Sequence, residues 1–548
     1  MSDVVLIYPK TGFDIGGTVT PPHALLSIAA PLLKKGCSVK IIDQRIDPAW
    51  RVHLIEELDK NPICVGISSM TGSQIKFALE ASILVRKQTG SRIPVIWGGP
   101  HASILPQQTL ENENIDIVVI GEGDISFPEL VDGIVNKRPL KDINGIALKD
   151  GGKIVTTSPQ PLIDFDSLLP TPWDLIDVNC YIHPDFYLER SYRTLDIGQT
   201  SRGCPFDCGF CCSATLRQRK WRAGAVEKAL DTIVGSIQRF NLDGIWIRDD
   251  DFYVNDKRVM AICEGMIKAG VKVNWYASGT RVDEFNKLSP EITKLVKRSG
   301  ANVLKFGAES GSNRILKLIK KGITAEETFA ANLKAKEYGI IPAFSFIAGF
   351  PTETFDEINM TVDAMIKIKR DNPKAITESI CIYTSFPGTP LHDLALKHGL
   401  QSPNSLIGWS KWNFHEYELG GRNPWFSIEE REKLGNLTYM SSLANVVPLL
   451  ANSVDNPIIR FFLVLVVKPV SAYFNFRFEH KLYGYVPELA VMKFIRGMLF
   501  EKGYDIFTFL KNKVTVQPDV PERYETANLM QNKSRTEALE LTHHKPER

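Results

Sequence analysis

The stretch that decides the fold is Gln199–Cys211, which has the sequence QTSRGCPFDCGFC and follows a short apolar segment typical of a β-strand. Its three cysteines, Cys204, Cys208 and Cys211, are spaced C-x3-C-x2-C. Three thiolates on one tight loop can hold three irons of a cubane cluster and leave the fourth iron open to a ligand that is not protein. A closed structural zinc site usually needs four ligands in two C-x2-C knuckles, and the sequence has no second knuckle. The spacing favours an iron–sulfur site, with zinc or a purely structural cluster as the alternative.

The cysteine usage of the whole chain agrees with a metal or redox site. The chain has nine cysteines, an odd number, and four of them fall between Cys204 and Cys212. In a reducing compartment such crowding indicates metal binding or redox chemistry rather than disulfides. Cys212 directly follows Cys211, and successive residues rarely reach one metal site together. We therefore interpret Cys212 as a small packing residue.

Length and composition predict a large globular protein with several folding units. The chain has 548 residues, of which 44% are hydrophobic and 23% charged, with 65 Lys and Arg against 63 Asp and Glu. At about 150 residues per domain, this length allows three or four units that each bury a core. The formal charge of +2 disfavours a nucleic-acid binder that relies on one large basic field. We expect no nucleic-acid partner.

Neither end of the sequence nor its apolar runs indicate export or a membrane span. The chain begins MSDVVLIYPK, without a basic leader. The densest apolar run, Phe461–Val467, ends at Lys468-Pro469 and is shorter than the 18 or so residues that a span requires. We expect a cytoplasmic protein that is soluble or peripheral on the inner face of the membrane.

Residues 1–150 are predicted to form a Rossmann-like, doubly wound α/β domain. Short β-branched runs alternate with stretches of helical period, which indicates a parallel sheet covered on both faces. Ligands bind such sheets beyond the carboxyl ends of the strands. The predicted strands are Val4–Tyr8, Ser38–Ile42, Cys64–Ser68, Pro94–Trp97 and Asp116–Ile120.

The segments that follow three of these strands are rich in glycine and hydroxyl residues. Glycine lets a ligand approach the backbone closely, although any one such segment alone is usually just a turn. Three together favour a ligand site at this edge of the sheet. The candidate ligand residues are Ser68, Ser69, Gly98, Gly99, His101, Gly121 and Glu122.

The remainder of the chain is predicted to hold a linker, a second βα series and a helical region. Residues 151–190 form a Pro-rich linker, with four prolines in Ser158–Trp173. Six βα units are too few for a closed eight-stranded barrel, so we expect a partial barrel or an open sheet over residues 191–400. Residues 401–516 are predicted to be mostly helical and residues 517–548 to be a polar, disordered tail. The six strands are predicted near Leu195–Gln199, Gly244–Arg248, Lys272–Ala277, Asn302–Phe306, Pro342–Ile347 and Glu378–Tyr383.

This series of motifs resembles the radical S-adenosylmethionine (SAM) superfamily, in its cobalamin (B12)-binding branch. The similarity includes the aromatic Phe210 before the last cysteine and extends over about residues 3–415. It implies a B12-binding domain followed by a partial (βα)6 radical SAM barrel. The segments that carry it are Pro21-Pro22, Gly98–His101, Gly121–Gly123, Asp249–Phe252, Gly307–Ser312, Phe346–Pro351 and Ser385–Pro390.

The resemblance implies a [4Fe–4S] cluster, SAM and cobalamin as cofactors, and it implies roles for matching residues. The three cysteines of the loop would hold the cluster, and Phe210 would lie beside the adenine of SAM. The residues implied to contact SAM are Glu309, Ser345, Ile347 and Gly349, and Pro21 and Pro22 join the candidate cobalamin residues.

Two adjacent acids are candidate catalytic residues. Asp249 and Asp250 end a predicted strand that points at the same cavity, so either would orient SAM or the substrate. A turn on the protein surface would have the same sequence pattern, and that alternative stays open.

The sequence also bears on how cobalt would be bound. Many cobalamin proteins carry D-x-H-x-x-G, whose His binds cobalt from below, and this chain lacks the motif. The histidines of the first domain, His23, His53 and His101, do not follow it. We expect a lower cobalt face without a protein His, with a capping role for His101 as the alternative to a place near cobalt. We also expect the isolated segment from residue 1 to about 155 to bind cobalamin.

The resemblance implies an enzyme in which a flavodoxin or ferredoxin-type donor supplies the electron that cleaves SAM to a 5′-deoxyadenosyl radical. One hypothesis is a methyltransferase that acts on an unactivated carbon of a lipid or natural-product precursor. A second is an oxidative cyclase without net methylation, as in tetrapyrrole synthesis, and a third is a non-catalytic cobalamin sensor, against which the intact cysteines argue. A methylthiotransferase is disfavoured, because Cys37 and Cys64 are too few for the second cluster of that family.

Asn456–Phe478 is an apolar segment that also contains Arg460, Lys468 and Arg477. One interpretation is a core helix packed on the barrel mouth. The other is an interfacial helix whose apolar face enters the lipid headgroup boundary while its cations meet anionic lipid. The second interpretation would bring a long apolar substrate to the C-terminal side of the barrel.

Overall fold

The N-terminal domain is a seven-stranded sheet in the computed structural model. Its strands are β1 Val4–Tyr8, β2 Val39–Asp43, β3 Cys64–Ser68, β4 Val95–Gly98, β5 Ile117–Val119, β6 Ile146–Asp150 and β7 Lys153–Thr156. The order is β2-β1-β3-β4-β5-β6-β7, with β1 to β5 parallel and β6 and β7 antiparallel. The five strands that the sequence predicts are therefore confirmed. Two have the predicted ends, and the other three differ by one residue at each end.

Helices cover both faces of this sheet. They are α1 His23–Lys34, α2 Trp50–Asp59, α3 Ser73–Thr89, α4 Pro100–Ile104, α5 Pro106–Leu110 and α6 Gly123–Val135. Helix α1 packs on α6, and α2 packs on α3. The doubly wound arrangement predicted from the βα alternation is confirmed.

The structure describes residues 3–12, 14, 19–185, 187–188, 191–412, 423–446, 448, 457–484 and 486–488. The predicted disordered tail of residues 517–548 lies outside these ranges, and so do residues 489–516 of the predicted helical region.

The predicted boundary at residue 150 was wrong. It falls inside a β-hairpin, because Gly151 and Gly152 both have positive φ and form the turn that joins β6 to β7. Such a turn needs glycine, which adopts this conformation without steric cost. The linker therefore begins after Thr156. It contains the short 3-10 helices Phe165–Ser167, Trp173–Leu175 and Val178–Tyr181.

The second domain is a partial barrel of six parallel strands. Three form the sheet β8-β11-β12, three form the sheet β13-β14-β15, and a bridge between Thr280 and Phe306 joins the two sheets. All six predicted strands are present. Two further short strands, β9 and β10, pair with each other outside these sheets. In chain order the strands are β8 Thr194–Gly198, β9 Ser201–Arg202, β10 Arg222–Ala223, β11 Gly244–Ile247, β12 Asn274–Ala277, β13 Val303–Glu309, β14 Ile341–Ala348 and β15 Ile376–Ile382. The helices are α7 Ser213–Leu216, α8 Val226–Phe240, α9 Asp256–Lys268, α10 Val282–Lys287, α11 Pro290–Arg298, α12 Asn313–Leu318, α13 Ala325–Glu337 and α14 Phe355–Asp371.

A strap after the barrel returns to the N-terminal domain. It contains α15 Pro390–Lys397 and α16 Leu406–Trp409. Trp409 and Trp412 are buried in the same hydrophobic core as Trp97 of β4, and the Trp409 Nε1 donates to Gln108 Oε1 at 2.6 Å. The N-terminal domain is therefore completed by residues beyond 400. This corrects the predicted boundary at residue 400, and it removes the basis for expecting an isolated segment 1–155 to fold and bind a ligand.

The described part of the C-terminal region is helical, as predicted. Helix α17 Ile428–Ser441 continues into a π-helix at Ser442–Val446, and α18 spans Pro457–Glu479. The apolar run Phe461–Val467 ends at Lys468-Pro469, but the helix does not, because α18 continues through Pro469. Its residues Arg460–Glu479 are long and apolar enough to cross a membrane by length and composition.

Candidate active site

The cysteine loop is held at both ends by a short antiparallel pairing. Strands β9 and β10 pair Ser201 with Ala223 and Arg202 with Arg222, so the loop leaves the barrel and returns to it at one place. Gly203 opens the loop with φ +86°, and a Cβ there would lie 2.1 Å from the Lys220 carbonyl oxygen. Only glycine fits this close approach of two backbone segments. These backbone contacts hold the two ends of the cysteine loop together.

Asp249 positions this loop and does not face a ligand. Its carboxylate accepts four hydrogen bonds, from the backbone N–H and hydroxyl groups of Thr200 and Ser201. Burial raises the pKa of Asp249, although these hydrogen bonds act in the opposite direction. Because the side chain is buried and both oxygens accept hydrogen bonds, the structure gives Asp249 a positioning role, and its predicted catalytic role stays a prediction. Asp250 accepts from the Gly203 N–H at 2.7 Å and also supports the loop.

Around the cysteines the loop is fixed by neighbouring elements. The Arg281 guanidinium lies 3.5 Å from the ring centroid of Phe206, and its Nη1 is 3.7 Å from the Cys208 Sγ. The Gly209 N–H donates to the Ile319 carbonyl at 2.8 Å. A cationic group beside a thiolate favours the charged, ligating form of the cysteine.

All three cysteines of the motif are unpaired thiols. Burial raises the pKa of Cys204 to about 12 and that of Cys211 to about 11. Metal binding takes such thiols as thiolates and releases their protons.

The residues of the loop fit a cluster better than a single ion. Among the described residues, no group of three His, Cys, Asp or Glu side chains is close enough to hold one metal ion. A tetrahedral zinc site would require such convergence. A cubane cluster requires only that each thiolate reach a different iron. Three thiolates on one loop are the donor set that a cubane cluster needs, and zinc stays the alternative.

The structure brings Phe210, Glu309 and the turn after β14 to one side of this loop. The ring centroid of Phe210 is 6.3 Å from that of Phe350, which follows Gly349. Lys321 Nζ lies 6.0 Å from the Phe210 ring centroid and makes a buried 2.7 Å ion pair with Glu309. Glu309 also has positive φ, +62°, which is uncommon for a residue other than glycine. These predicted SAM contacts share one neighbourhood, and Lys321, which the sequence analysis missed, links them.

The other two predicted SAM contacts, Ser345 and Ile347, lie on β14, just before this turn. Ser345 pairs with Gly307, and its hydroxyl is 3.4 Å from the Phe306 carbonyl. Ile347 pairs with Cys381 of β15.

A buried carboxyl holds the turn after β14. Glu353 Oε2 accepts the N–H groups of Gly349 at 2.5 Å and Phe350 at 3.0 Å. Burial raises the pKa of Glu353 to about 8. The conformation of the predicted SAM-binding turn therefore depends on a group outside the motif.

A cavity of about 420 Å³ lies at the carboxyl ends of β1, β3, β4 and β5. Its inner part reaches between the sheet and helices α1 and α6, where Ile28 and Phe127 line it. The barrel supplies the opposite wall, including residues 198–200 and Arg202. Of the predicted ligand residues, those that line the cavity are Pro21, Ser68, Gly98, Gly99, Gly121 and Glu122.

Glycines keep this cavity open. A Cβ on Gly99 would lie 2.6 Å from the Ser69 carbonyl oxygen, and Gly99 has φ +93°. A Cβ on Gly98 or Gly121 would meet almost nothing, with the nearest atom of Gly98 at 3.9 Å. Side chains at Gly98 and Gly121 would therefore project into free space, so this cradle fits a bulky ligand such as cobalamin.

Three predicted ligand residues are placed elsewhere. Ser69 and His101 are completely buried behind the cavity wall, and Pro22 precedes the first turn of α1. His101 Nδ1 is 2.9 Å from the Thr71 hydroxyl, and burial lowers its pKa to about 4. None of the three lines the cavity, and their contact with a ligand stays a prediction. Each of them follows a strand or opens a helix, and their side chains support the turns.

Charged residues that join the two domains surround the cavity. His23 Nε2 is 3.0 Å from Asp196 Oδ1, and Arg248 binds the other oxygen of Asp196. Burial acts to raise the pKa of Asp196, but Arg248 and His23 hold it well below its usual range. Arg202 likewise pairs with Asp124 at 2.7 Å. The partners in each of these ion pairs lie far apart in the sequence, so sequence analysis could not predict the pairs.

Glu122 lines the cavity, but its carboxylate is already occupied. It accepts from Arg217 Nη1 at 2.6 Å and from Arg222 Nη2 at 2.7 Å. Burial acts to raise the pKa of Glu122, but Arg222 and Arg217 lower it below its ordinary value. Glu122 thus ties the cysteine loop to the first domain.

Among the described residues that line the cavity, His23 is the one histidine, and its Nε2 is engaged by Asp196. This arrangement is consistent with the expected lower cobalt face without a protein His, which stays a prediction.

Comparison with known proteins agrees with both halves of this arrangement. The family model of the B12 binding domain matches residues 15–131, and that of the radical SAM superfamily matches residues 199–365. The chain is 32% identical to the "Uncharacterized methyltransferase PH0819" of Pyrococcus horikoshii over 444 residues, which is 80% of this chain and 92% of the relative.

Two further relatives mark the range of the family. The anaerobic magnesium-protoporphyrin IX monomethyl ester cyclase of Cereibacter sphaeroides is 27% identical over 425 residues, which is 75% of this chain and 66% of the cyclase. The cobalamin-dependent SAM radical enzyme OxsB, solved with aqua-cobalamin and SAM bound, has the same fold at a TM-score of 0.70. It is 20% identical, and the match covers 91% of this chain and 75% of OxsB.

Fold and site together define a radical SAM protein with a B12-binding domain. The chain belongs to the cobalamin-dependent radical SAM enzymes, with a [4Fe–4S] cluster, SAM and cobalamin as cofactors.

Proposed function

We propose that this enzyme is a C-methyltransferase that acts on an unactivated carbon of a small molecule, either a lipid or a natural-product precursor. The observation that carries the proposal is the shared wall of the cavity. Residues 198–200 and Arg202 line it, and Cys204 follows two residues later. One short segment, residues 198–204, therefore carries both cavity-lining residues and the first cysteine of the loop. A substrate in the cavity would lie close to both proposed cofactor sites.

The roles of this chain's residues follow from their positions. Cys204, Cys208 and Cys211 hold the cluster, and Phe210 and Glu309 contact SAM. When bound, the cluster and SAM supply a 5′-deoxyadenosyl radical and cobalamin supplies a methyl group. Asp249 keeps the cysteine loop in register, and the ion pairs between the domains keep the cavity closed to bulk water.

The partners and location follow from the same proposal. A flavodoxin or ferredoxin-type protein supplies the electron. The enzyme works in the cytoplasm, with peripheral contact to the inner face of the membrane if its substrate is a lipid.

Product counting separates methyl transfer from cyclisation. The full chain, reconstituted anaerobically with iron, sulfide and cobalamin, is incubated with SAM, a reductant and an extract that contains the substrate. Methyl transfer predicts S-adenosylhomocysteine and 5′-deoxyadenosine in equal amounts. A cyclase would give 5′-deoxyadenosine without S-adenosylhomocysteine. The Cys211→Ala variant is the control and gives no 5′-deoxyadenosine.

Substrate identity is read in a deletion strain. The proposal predicts an accumulated compound that lacks one methyl group relative to the product of the parent strain. An accumulated compound that lacks a ring and carries more hydrogen than the product of the parent strain would contradict methyl transfer and favour the cyclase.

A further inference from the structure

Helix α18 turns an apolar face away from the protein. Phe461, Phe462, Leu465 and Val466 lie on its second and third turns, and each is more than half exposed, with Phe462 at 62% and Val466 at 65%. Phe476, three turns further on, is also exposed. Soluble proteins rarely expose a contiguous apolar patch of this kind, and a large one marks an interaction surface.

The opposite face of α18 is packed on the protein. Phe474 and Phe478 are buried, and the ring centroid of Phe474 is 6.3 Å from that of Tyr439 in α17. The Ser471 hydroxyl donates to the Ala444 carbonyl of the π-helix at 2.9 Å. The helix therefore has two apolar faces, and among the residues that the structure describes only one of them packs on the protein.

This packing decides between crossing a membrane and lying on one. A helix with one face on a folded domain cannot be surrounded by lipid tails, whatever its length and hydropathy. Twenty-three residues extend for about 34 Å at 1.5 Å per residue. That length laid along a surface is compatible with a helix in the plane of the interface.

The charges of the helix favour anionic lipid as the occupant. The segment Pro457–Phe478 contains no Asp or Glu, and its cations are Arg460, Lys468 and Arg477. Lys468 is exposed. Arg477 is buried and donates to the Leu482 carbonyl at 2.7 Å, so it is not available for lipid. The one acid of α18 is its last residue, Glu479, which is exposed three turns beyond Lys468. Along the apolar face before Glu479, the exposed Lys468 suits the negatively charged headgroup region.

The helix is attached to the edge of the barrel. The N–H of Ile380 in β15 donates to the Ser441 hydroxyl at the end of α17 at 2.9 Å, and α18 packs on α17 and the π-helix. A surface bound through α18 would thus lie beside the sixth strand.

We infer that the outward face of α18, formed by Phe461, Phe462, Leu465, Val466 and Phe476 with Lys468, binds the interface of an anionic bilayer. This deepens the proposed membrane contact and rests on that part of the proposed function, but it does not depend on methyl transfer. Burial of these side chains among lipid headgroups supplies the attraction, and Lys468 adds selectivity for anionic lipid.

Flotation of the full chain with vesicles tests the inference without SAM or substrate. Vesicles of phosphatidylcholine alone are compared with vesicles that contain about one-third phosphatidylglycerol. We expect the wild type to float with the anionic vesicles, and Phe462→Glu/Val466→Glu to reduce the bound fraction about tenfold or more. Lys468→Gln should lower binding to anionic vesicles and weaken its dependence on salt.

A matched control separates membrane binding from general loss of apolar surface. Ile407 and Ile428 are exposed at 62% and 81% but lie outside α18, so Ile407→Glu/Ile428→Glu should float like the wild type. The inference is overturned if the wild type stays unbound at low salt, or if both double variants float equally. A stable dimer in light scattering that Phe462→Glu/Val466→Glu dissociates, without flotation of the wild type, would assign the face to a second copy instead. Because flotation needs neither SAM nor substrate, while product counting needs both and no vesicles, failure of flotation and failure of methyl transfer are distinct results.

Discussion

The cysteine loop and the cavity of the first domain are two cofactor sites built in opposite ways. The loop draws its ligands from eight consecutive residues, Cys204–Cys211, and its supports, such as Asp249, only fix its shape. The cavity draws its walls from strand ends, from α1 and α6 and from the barrel, including Arg202 and Arg248. A local site depends on a few side chains, whereas a distributed site depends on free volume and on the contact between domains. Substitutions of the cysteines should therefore abolish cluster binding, whereas substitutions that fill the cavity should lower cobalamin affinity.

The largest effect is expected at the cysteines themselves. Replacement of Cys204, Cys208 or Cys211 by Ala should abolish the cluster, because each thiolate holds a different iron. Iron and sulfide content and the absorbance of the reconstituted protein measure the loss. Cys212→Ala, one residue away, should keep its iron. A Cys212→Ala protein without iron beside a Cys211→Ala protein with iron would reverse the assignment of ligands.

A substitution that fills the cavity should act on cobalamin alone. The Gly98→Leu side chain would enter free space without backbone strain, since Gly98 is not among the glycines with positive φ. We expect cobalamin affinity to fall about 100-fold while iron content is kept. Absorbance titration with cobalamin measures the affinity. Gly235→Leu is the matched control, because a Cβ there also meets no atom within 4 Å and Gly235 is not among the residues that line the cavity, although other residues of α8 are. Equal affinity in both variants would show that the ligand binds elsewhere.

Asp249→Asn tests whether the loop depends on its buried support. The amide keeps one acceptor but turns donors toward the N–H and hydroxyl groups of Thr200 and Ser201, so the free energy of unfolding should fall by about 2–3 kcal/mol. Denaturant unfolding of the protein without iron measures this, and iron retention should fall only in part. Asp250→Asn should cost less, because Asp250 is exposed and accepts one hydrogen bond among those described. A larger loss from Asp250→Asn would contradict the positioning role of Asp249.

The smallest effect on the cofactors is expected at Glu353. Its folded pKa is raised to about 8 from an ordinary value of 4.5, so the folded state holds a proton that the unfolded state releases between these values. The contribution of Glu353 to stability should therefore be largest below pH 4.5, fall as pH rises toward 8 and then level off. In Glu353→Gln this decline should be shallower, while both cofactors stay bound. Urea unfolding at a series of pH values measures the slope, and parallel curves for the two proteins would contradict the protonated state.

The same comparison explains what the sequence could predict. The βα alternation indicated both sheets, and the spacing of the cysteines indicated the cluster, because periodicity and local spacing are properties of neighbouring residues. Asp249 was assigned a catalytic role because sequence shows that an acid ends a strand but not where its oxygens point. Lys321 was missed because no periodic pattern or motif joins it to Glu309, although the two lie only 12 residues apart. Arg217 and Arg248 were missed, since their partners lie 95 and 52 residues away in the chain. The strap with Trp409 and Trp412 was placed in a C-terminal domain for the same reason.

The two faces of α18 teach a related lesson. Its composition is compatible with a core helix and with an interfacial helix, because both need apolar residues. Only the packed position of Phe474 beside the exposure of Phe462 distinguishes them.

The central claim is that one chain holds both cofactors, in one local and one distributed site. The most direct measurement is the iron and cobalt content of the reconstituted full chain and of its Cys211→Ala and Gly98→Leu variants. The account predicts about four irons per chain with one cobalamin in the wild type, cobalt without iron in Cys211→Ala, and iron with little cobalt in Gly98→Leu. Zinc in place of iron, or the loss of both metals together in either variant, would contradict it.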